Sequence, residues 1–334
     1  MKYIITIDAG TTNTRCILWD EDRQDLAVEK RPVGVRNTAM DGNNSRLKEA
    51  VKSCLLNLLD KNNLTYTDIK CIIASGMITS NVGLVEIPHV VAPAGKEDLA
   101  KAVTSVLLDD VSPLPFWFIP GVKNYGGEIT LENFEAMDIM RGEEVESVAI
   151  IDQYPRGKDY LLVLPGSHTK FVSVDKEGRM TGCLTTISGE LMSSIINNTI
   201  IADAVGRKFV EPETYDKDML LLGYDTAKRS GIGRCCFSGR ILSLFTLKDK
   251  TKVSNFITGV TLQNDIAAIK NSSALQTSPE TTVIVGGKEP LRTMFVDILK
   301  HDGYFPRVEC FENPEDKALS ALGAYIIADL CNIL

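Results

Sequence analysis

From Tyr3 to Trp19 two apolar, β-branched runs, Tyr3-Ile4-Ile5-Thr6-Ile7 and Thr14-Arg15-Cys16-Ile17-Leu18-Trp19, flank a short stretch of small and hydroxylated residues. The pattern predicts a strand, a tight turn and a second strand. It returns over residues 160–175, where Leu161-Leu162-Val163-Leu164 and Phe171-Val172-Ser173-Val174 flank Pro165-Gly166-Ser167-His168-Thr169-Lys170. The second turn reads as two residues shorter. Internal repetition weighs more than either hairpin alone.

Each hairpin heads a mixed α/β segment. In the first, residues 27–33 read as a third strand. A helix capped by Asn44-Ser45 runs to residue 60, with Leu47, Val51, Leu55, Leu58 and Leu59 at helical spacing. A strand over 68–75 delivers Gly76 and Met77 to its C-terminal edge, where ligands of open α/β sheets gather. A helix over 96–108, a strand over 115–120 and a loop over 121–133 follow. In the second, a third strand covers 179–187, Gly189-Glu190 opens a helix, and an irregular helical insertion spans 197–230. A helix over 253–270, a strand over 281–287 ending in Gly286-Gly287, and helices over 290–300 and 313–330 complete the chain. The repeat divides it into residues 1–150 and 151–334.

The 334 residues, 44% of them apolar, suffice for two cores. A net charge of −8, with scattered Lys and Arg, argues against nucleic acid as a partner. Eight cysteines without a Cys-x-x-Cys spacing read as reduced thiols. Asp8 interrupts the first apolar run too early for a signal peptide, and no apolar stretch approaches the ~20 residues of a membrane span. The expectation is a cytoplasmic protein with no membrane partner. Oligomeric state is not readable, and a homodimer stays open.

The turns suggest chemistry. Gly10 lets backbone approach a ligand closely, and Thr11, Thr12 and Asn13 offer donors suited to phosphate oxygens. Asp8, ending a buried strand, is placed to hold Mg2+ through water. Gly166, Ser167, His168, Thr169 and Lys170 repeat the clamp, with Lys170 as a point charge on phosphate and His168 as a donor. Gly189, Gly286 and Gly287 mark places where a nucleotide can lie against bare backbone. Among carboxylates, Glu143 and Glu144 in Met140-Arg141-Gly142-Glu143-Glu144 are candidates for a general base, with Asp138 as runner-up.

The two hairpins, with Ala74-Ser75-Gly76-Met77-Ile78-Thr79-Ser80-Asn81-Val82-Gly83, Met140-Arg141-Gly142-Glu143-Glu144, Pro165-Gly166-Ser167-His168-Thr169-Lys170 and Ser188-Gly189-Glu190-Leu191, resemble the 2-dehydro-3-deoxygalactonokinases. These belong to the superfamily of sugar kinases, acetate kinase and actin. The resemblance implies two duplicated ribonuclease H-like domains with ATP between them, the actin-like ATPase fold. It implies ATP and Mg2+ as cofactors, a sugar acid as partner and phosphorylation of 2-dehydro-3-deoxy-D-galactonate at O6. Many superfamily members carry an acid in the second turn; here it is absent, which leaves Asp8 and Glu190 for the metal. The acceptor's carboxylate calls for a planar Arg fork, for which Arg15, Arg141 and Arg240 are candidates, with Met77 and Ser80 nearby. Ala9 stands where the family often has Trp. The rival expectations are a kinase for an N-acetylhexosamine and a non-catalytic actin-like switch.

Overall fold

The computed structural model describes residues 2–313 and 317–331. Its first sheet contains β1 (Tyr3–Ala9), β2 (Thr14–Trp19), β3 (Asp25–Arg31), β4 (Ile69–Gly76), β6 (Thr104–Val106) and β7 (Phe116–Phe118), in the order β3-β2-β1-β4-β7-β6. The second contains β10 (Tyr160–Leu164), β11 (Thr169–Val174), β12 (Met180–Thr186), β13 (Thr282–Val285) and β14 (Val308–Cys310), in the order β12-β11-β10-β13-β14. In both, three antiparallel strands are extended by two parallel ones. The repeat expected from two hairpins therefore covers five strands in each half, the duplicated ribonuclease H-like arrangement of the actin-like ATPase fold. Both hairpin turns hold four residues, 10–13 and 165–168, so the second is not the shorter.

Side-chain alternation decides the layers. In β1, Ile5 and Ile7 face outward onto the helix Ser45–Lys61. Ile4 faces the centre, as does Thr6, whose hydroxyl accepts the Trp19 indole N–H at 2.8 Å. In β10, Leu161 and Val163 face the helical insertion, while Leu162 and Leu164 face the centre. Sheets covered on both faces require nearly continuous apolar strands, and that is how these read.

The centre is filled by two helices, Glu143–Ile151 and Leu319–Leu330, sandwiched between the sheets. Val145, Val148, Ala324 and Ile327 pack there with Trp19 and Ile73 of the first sheet and Val172 and Ile284 of the second. The helices cross in backbone contact: a Cβ on Gly323 would lie 1.8 Å from the Val145 carbonyl oxygen.

A small sheet of β5 (Val90–Val91), β8 (Val122–Lys123) and β9 (Ile139–Met140) occupies part of a region expected to be loop. It is stitched to the edge strand β12. The Asn124 side chain accepts from the Cys183 N–H at 2.7 Å and donates to the Cys183 carbonyl at 2.8 Å, and Ala94 pairs with Met180.

Several elements depart from expectation, among them a short helix Val35–Asp41 ahead of the one expected from Asn44-Ser45. The helix expected over 96–108 stops at Ala102, where Val103-Thr104-Ser105-Val106, with three β-branched residues, turns into an edge strand against β7. The helix Ile232–Phe245 was unforeseen, because Gly231, Gly233 and Gly239 break its pattern. The final helix, expected from 313, begins at Leu319; residues 314–316 lie outside the described residues. Among the described residues no helix is long and apolar enough to cross a membrane.

Gly323→Ala tests the helix crossing. Alanine favours a helix by about 1 kcal/mol over glycine, yet here its methyl group meets a backbone carbonyl that no rotamer change can move. A net loss of about 1–3 kcal/mol is expected from overpacking, read as a lower urea midpoint; an unchanged midpoint would mean that the helices have room.

Candidate functional site

The C-terminal ends of the parallel strands β1 and β4 face those of β10 and β13, where ligands of such sheets bind. Between them opens a cleft of about 930 Å³ lined by Asp8, Gly10, Gly76, Glu143, Glu146 and Ser320, among others. Beside it lies a more apolar hollow of about 720 Å³, walled by Met192, Phe209, Val210, Leu291 and Met294.

Asp8 sits where β1 ends, directly across the hairpin from Arg15. Arg15 Nη2 donates to Asp8 Oδ2 at 3.0 Å, and the Ser320 hydroxyl donates to the same oxygen at 2.9 Å. Ser320 lies in the first turn of the last helix, so this triangle ties the first hairpin to a residue more than three hundred positions away. Oδ1 keeps no protein hydrogen bond among the described residues. Gly76, at φ +86°, passes so close that a Cβ there would stand 3.0 Å from it. A carboxylate with one oxygen saturated and one turned to a cleft fits a hydrated Mg2+.

Gly142, at φ +120°, reverses the chain so that the helix Glu143–Ile151 starts at the cleft. Glu143 is half-buried on the cleft wall, its Oε2 accepting the Arg141 N–H at 3.1 Å. Glu146, three residues on, lies on the same helix face and also lines the cleft. Burial, together with the charges of Asp8 and Glu143, pushes the Glu146 carboxyl up to about 8. The sequence reading missed Glu146; its signal was the i, i+3 spacing from Glu143 at a helix start. Glu144 points the other way. It is fully buried, its Oε2 accepts the Gly142 N–H at 2.7 Å, and its Oε1 has no partner. Burial and the neighbouring Glu143 push it up to about 8. Facing the core, it is not placed to meet a substrate.

Lys170 lines the cleft but is committed elsewhere. Its ammonium is buried, donating to the Ile139 carbonyl at 2.7 Å and to the Thr185 hydroxyl, with Asp138 at 3.7 Å. Asp138 in turn accepts from the Thr185 and Ile139 N–H groups and the Thr185 hydroxyl. The pair fixes the strand that leads into Gly142-Glu143. This corrects both expectations, Lys170 as a phosphate cation and Asp138 as a base. Arg141 is likewise anchored: Nη1 donates to the Thr79 carbonyl and hydroxyl at 2.5 and 2.6 Å, and Nη2 donates to the Ile87 carbonyl at 3.0 Å. All these acceptors are neutral, and among the described residues Arg141 forms no salt bridge. Nη2 also meets His89 Nδ1 at 3.2 Å, burial draws the guanidinium pKa down, and the charges of Glu144 and Glu86 oppose that shift.

A family model described as 2-keto-3-deoxy-galactonokinase matches residues 8–321. The chain belongs to that family. It is 24% identical to the 2-dehydro-3-deoxygalactonokinase of Escherichia coli (strain K12) over 273 residues, covering 81% of this chain and 82% of that protein. A crystal structure of a provisionally assigned 2-dehydro-3-deoxygalactonokinase from Sinorhizobium meliloti superposes with a TM-score of 0.75 at 21% identity, covering 98% of both chains. The chain is thus a sugar-acid kinase, and residues of its two hairpins line the one cleft.

Other expected residues of this family member are sorted by the fold. Gly10, Arg15, Met77 and Gly287 line the cleft, while Gly166, Ser167, Gly189 and Gly287 line the apolar hollow. Thr11, Thr12 and Asn13 project to solvent at the hairpin tip, and Thr169 is buried against Ser188 at 2.9 Å. Ser80 folds back onto the Met77 carbonyl at 2.7 Å. Gly286 directly follows β13 and packs against Leu164. Arg240 lies outside the site, on the helix Ile232–Phe245, donating to the Ile200 carbonyl at 3.2 Å; an insertion helix packed on the far face of the second sheet cannot reach the cleft. Glu190 pairs with His168 at 3.0 Å on the exposed rim. It does not join Asp8, and Glu146 is the carboxylate nearer to that role.

Glu144 makes stability pH-dependent. Its folded pKa, about 8, lies above the unfolded value of roughly 4.3, so the folded state holds the extra proton. Its contribution is fully present below about pH 4.3 and is lost as pH rises through 8. Glu144→Gln is expected to track the wild type at pH 4 and to gain on it up to pH 8, measured as the difference in urea midpoints. A constant difference would place the titration elsewhere.

Proposed function

We propose that this chain transfers the γ-phosphoryl group of ATP, bound with Mg2+, to the 6-hydroxyl of 2-dehydro-3-deoxy-D-galactonate, giving the 6-phosphate and ADP in galactonate catabolism. The observation that carries the reading is that Glu143 and Asp8 line one cleft, in a chain whose family match spans residues 8–321. In this reading residues 1–150 form the acceptor lobe and 151–334 the nucleotide lobe.

The base of ATP occupies the apolar hollow between Met192 and Leu291, and its phosphates run past Gly287 toward Gly10. When bound, Mg2+ neutralises phosphate charge and holds the polyphosphate in one geometry. Asp8 Oδ1 would hold it through water. Glu143 accepts the proton of the attacking hydroxyl, which needs an accessible carboxylate within hydrogen-bond reach. Glu143 lines the cleft whereas Glu144 is buried in the core, which supports Glu143 in this role. The helix Glu143–Ile151 points its N-terminus at the reacting groups, a place that favours negative charge. Arg141, whose Nη atoms are held by Thr79, Ile87 and His89, adds positive charge beside the cleft without leaving its anchors, which supports an acidic acceptor. A neutral N-acetylhexosamine would leave that charge unmatched, which favours a sugar acid. A closing cleft then excludes water, so that phosphate goes to the sugar.

Two substitutions test the assignment in a coupled ADP-release assay with the keto acid. Glu143→Gln is expected to lower kcat by about 10²–10⁴ with nucleotide binding retained. Asp8→Asn is expected to abolish most activity and to raise the Mg2+ concentration required; full activity in either variant would remove that residue from the chemistry. Turnover of neutral sugars in preference to the keto acid would overturn the choice of acceptor.

A further inference from the structure

Five residues line both the cleft and the apolar hollow: Glu146, Pro165, Gly287, Lys288 and Glu289. A nucleotide with its base in the hollow and its terminal phosphate in the cleft must thread this junction. The passage calls for positive charge, and nearly every cation nearby is already engaged. Arg15 is held by Asp8 and Ser320, and Lys170 by Ile139 and Thr185. Arg292 is held by Glu289 at 2.8 Å and the Phe311 carbonyl at 3.0 Å. Lys317 donates to the Arg23 carbonyl at 2.9 Å. Glu289, the junction's second acid, is thereby neutralised by Arg292.

Lys288 differs from all of these. Among the described residues its ammonium has no hydrogen bond or ion pair, yet its backbone is fixed on both sides. Gly287, at φ +85°, presses on the second hairpin so closely that a Cβ would meet Pro165 Cδ at 2.9 Å. The Lys288 carbonyl accepts the Arg292 N–H at 3.1 Å, opening the helix Leu291–Asp302. The side chain therefore leaves a rigid base at the one point that both hollows share.

We infer that Lys288 is the counter-charge to the phosphates that ATP and ADP have in common, the role that the sequence pattern suggested for Lys170. A compact ammonium suits this task, since it meets phosphate oxygens as a point charge without a fixed fork geometry. Because the junction adjoins the base hollow, the contact falls on the α- and β-phosphates. The inference rests on the nucleotide reading proposed above.

Isothermal titration of the full chain with ADP and with adenosine, both with Mg2+ present, tests it. Lys288→Met is expected to weaken ADP roughly 10- to 100-fold, the usual range for a lost charged hydrogen bond, and to leave adenosine within twofold. Lys288→Arg is expected to restore most of the ADP affinity, and the decline of ADP binding with salt is expected to be shallower in Lys288→Met than in the wild type. Unchanged ADP affinity in Lys288→Met, or equal losses for ADP and adenosine, would overturn the inference while leaving the nucleotide reading intact. A wild-type chain that binds neither ligand would overturn the nucleotide reading and this inference with it.

Discussion

The crossing of the helices Glu143–Ile151 and Leu319–Leu330 is the contact from which the site follows. Gly323 brings the two backbones together with no side chain between them. Each helix begins at the cleft, and each contributes a polar residue near its N-terminus: Glu143 from one and Ser320 from the other. Because both helices are buried between the two sheets, their starting points are fixed relative to both hairpins at once. Close-packed interiors transmit such constraints with little slack. The separation of the groups facing each other across the cleft is therefore set by the packing of the central core.

Around this centre the chain uses charged groups for two purposes. Some are structural: Lys170 and Asp138 hold the strand ahead of Gly142, and Arg141 braces the loop at Thr79 and Ile87 through neutral acceptors. A buried ammonium or guanidinium satisfied in this way is costly to disturb, because its partners would be left unpaired. Others face the open space, and Asp8 does both, with Oδ2 bonded to Arg15 and Ser320 and Oδ1 turned to the cleft. Burial keeps Glu144 and Glu146 well above the usual carboxylate range, so that three glutamates crowd one helix turn without carrying three full charges at neutral pH.

The hairpin repeat, the apolar strands and the Gly76, Gly142 and Gly287 turns were legible in the sequence because each is a local matter. Strand alternation needs only neighbours two residues apart, and the turns are written in glycine and hydroxylated residues. The same locality made the cleft's edge readable, since parallel strands expose their C-terminal ends there. The helix Ile232–Phe245 was not legible, because its glycines and vicinal cysteines blur the apolar period.

Which polar residues face the cleft was decided only by the tertiary structure. Sequence treats Glu143 and Glu144 alike, yet consecutive helix positions point about 100° apart, so one lines the cleft and the other enters the core. It marks Lys170 by its place in a repeated turn, but the approach of β9 and Thr185 engages its ammonium. Lys288 looks like any surface lysine until Pro165 and the two hollows are brought around it. The local pattern determined the strands and turns because their energetics are short-ranged; the assignment of each charge waited on partners distant in sequence, such as Ser320 at Asp8.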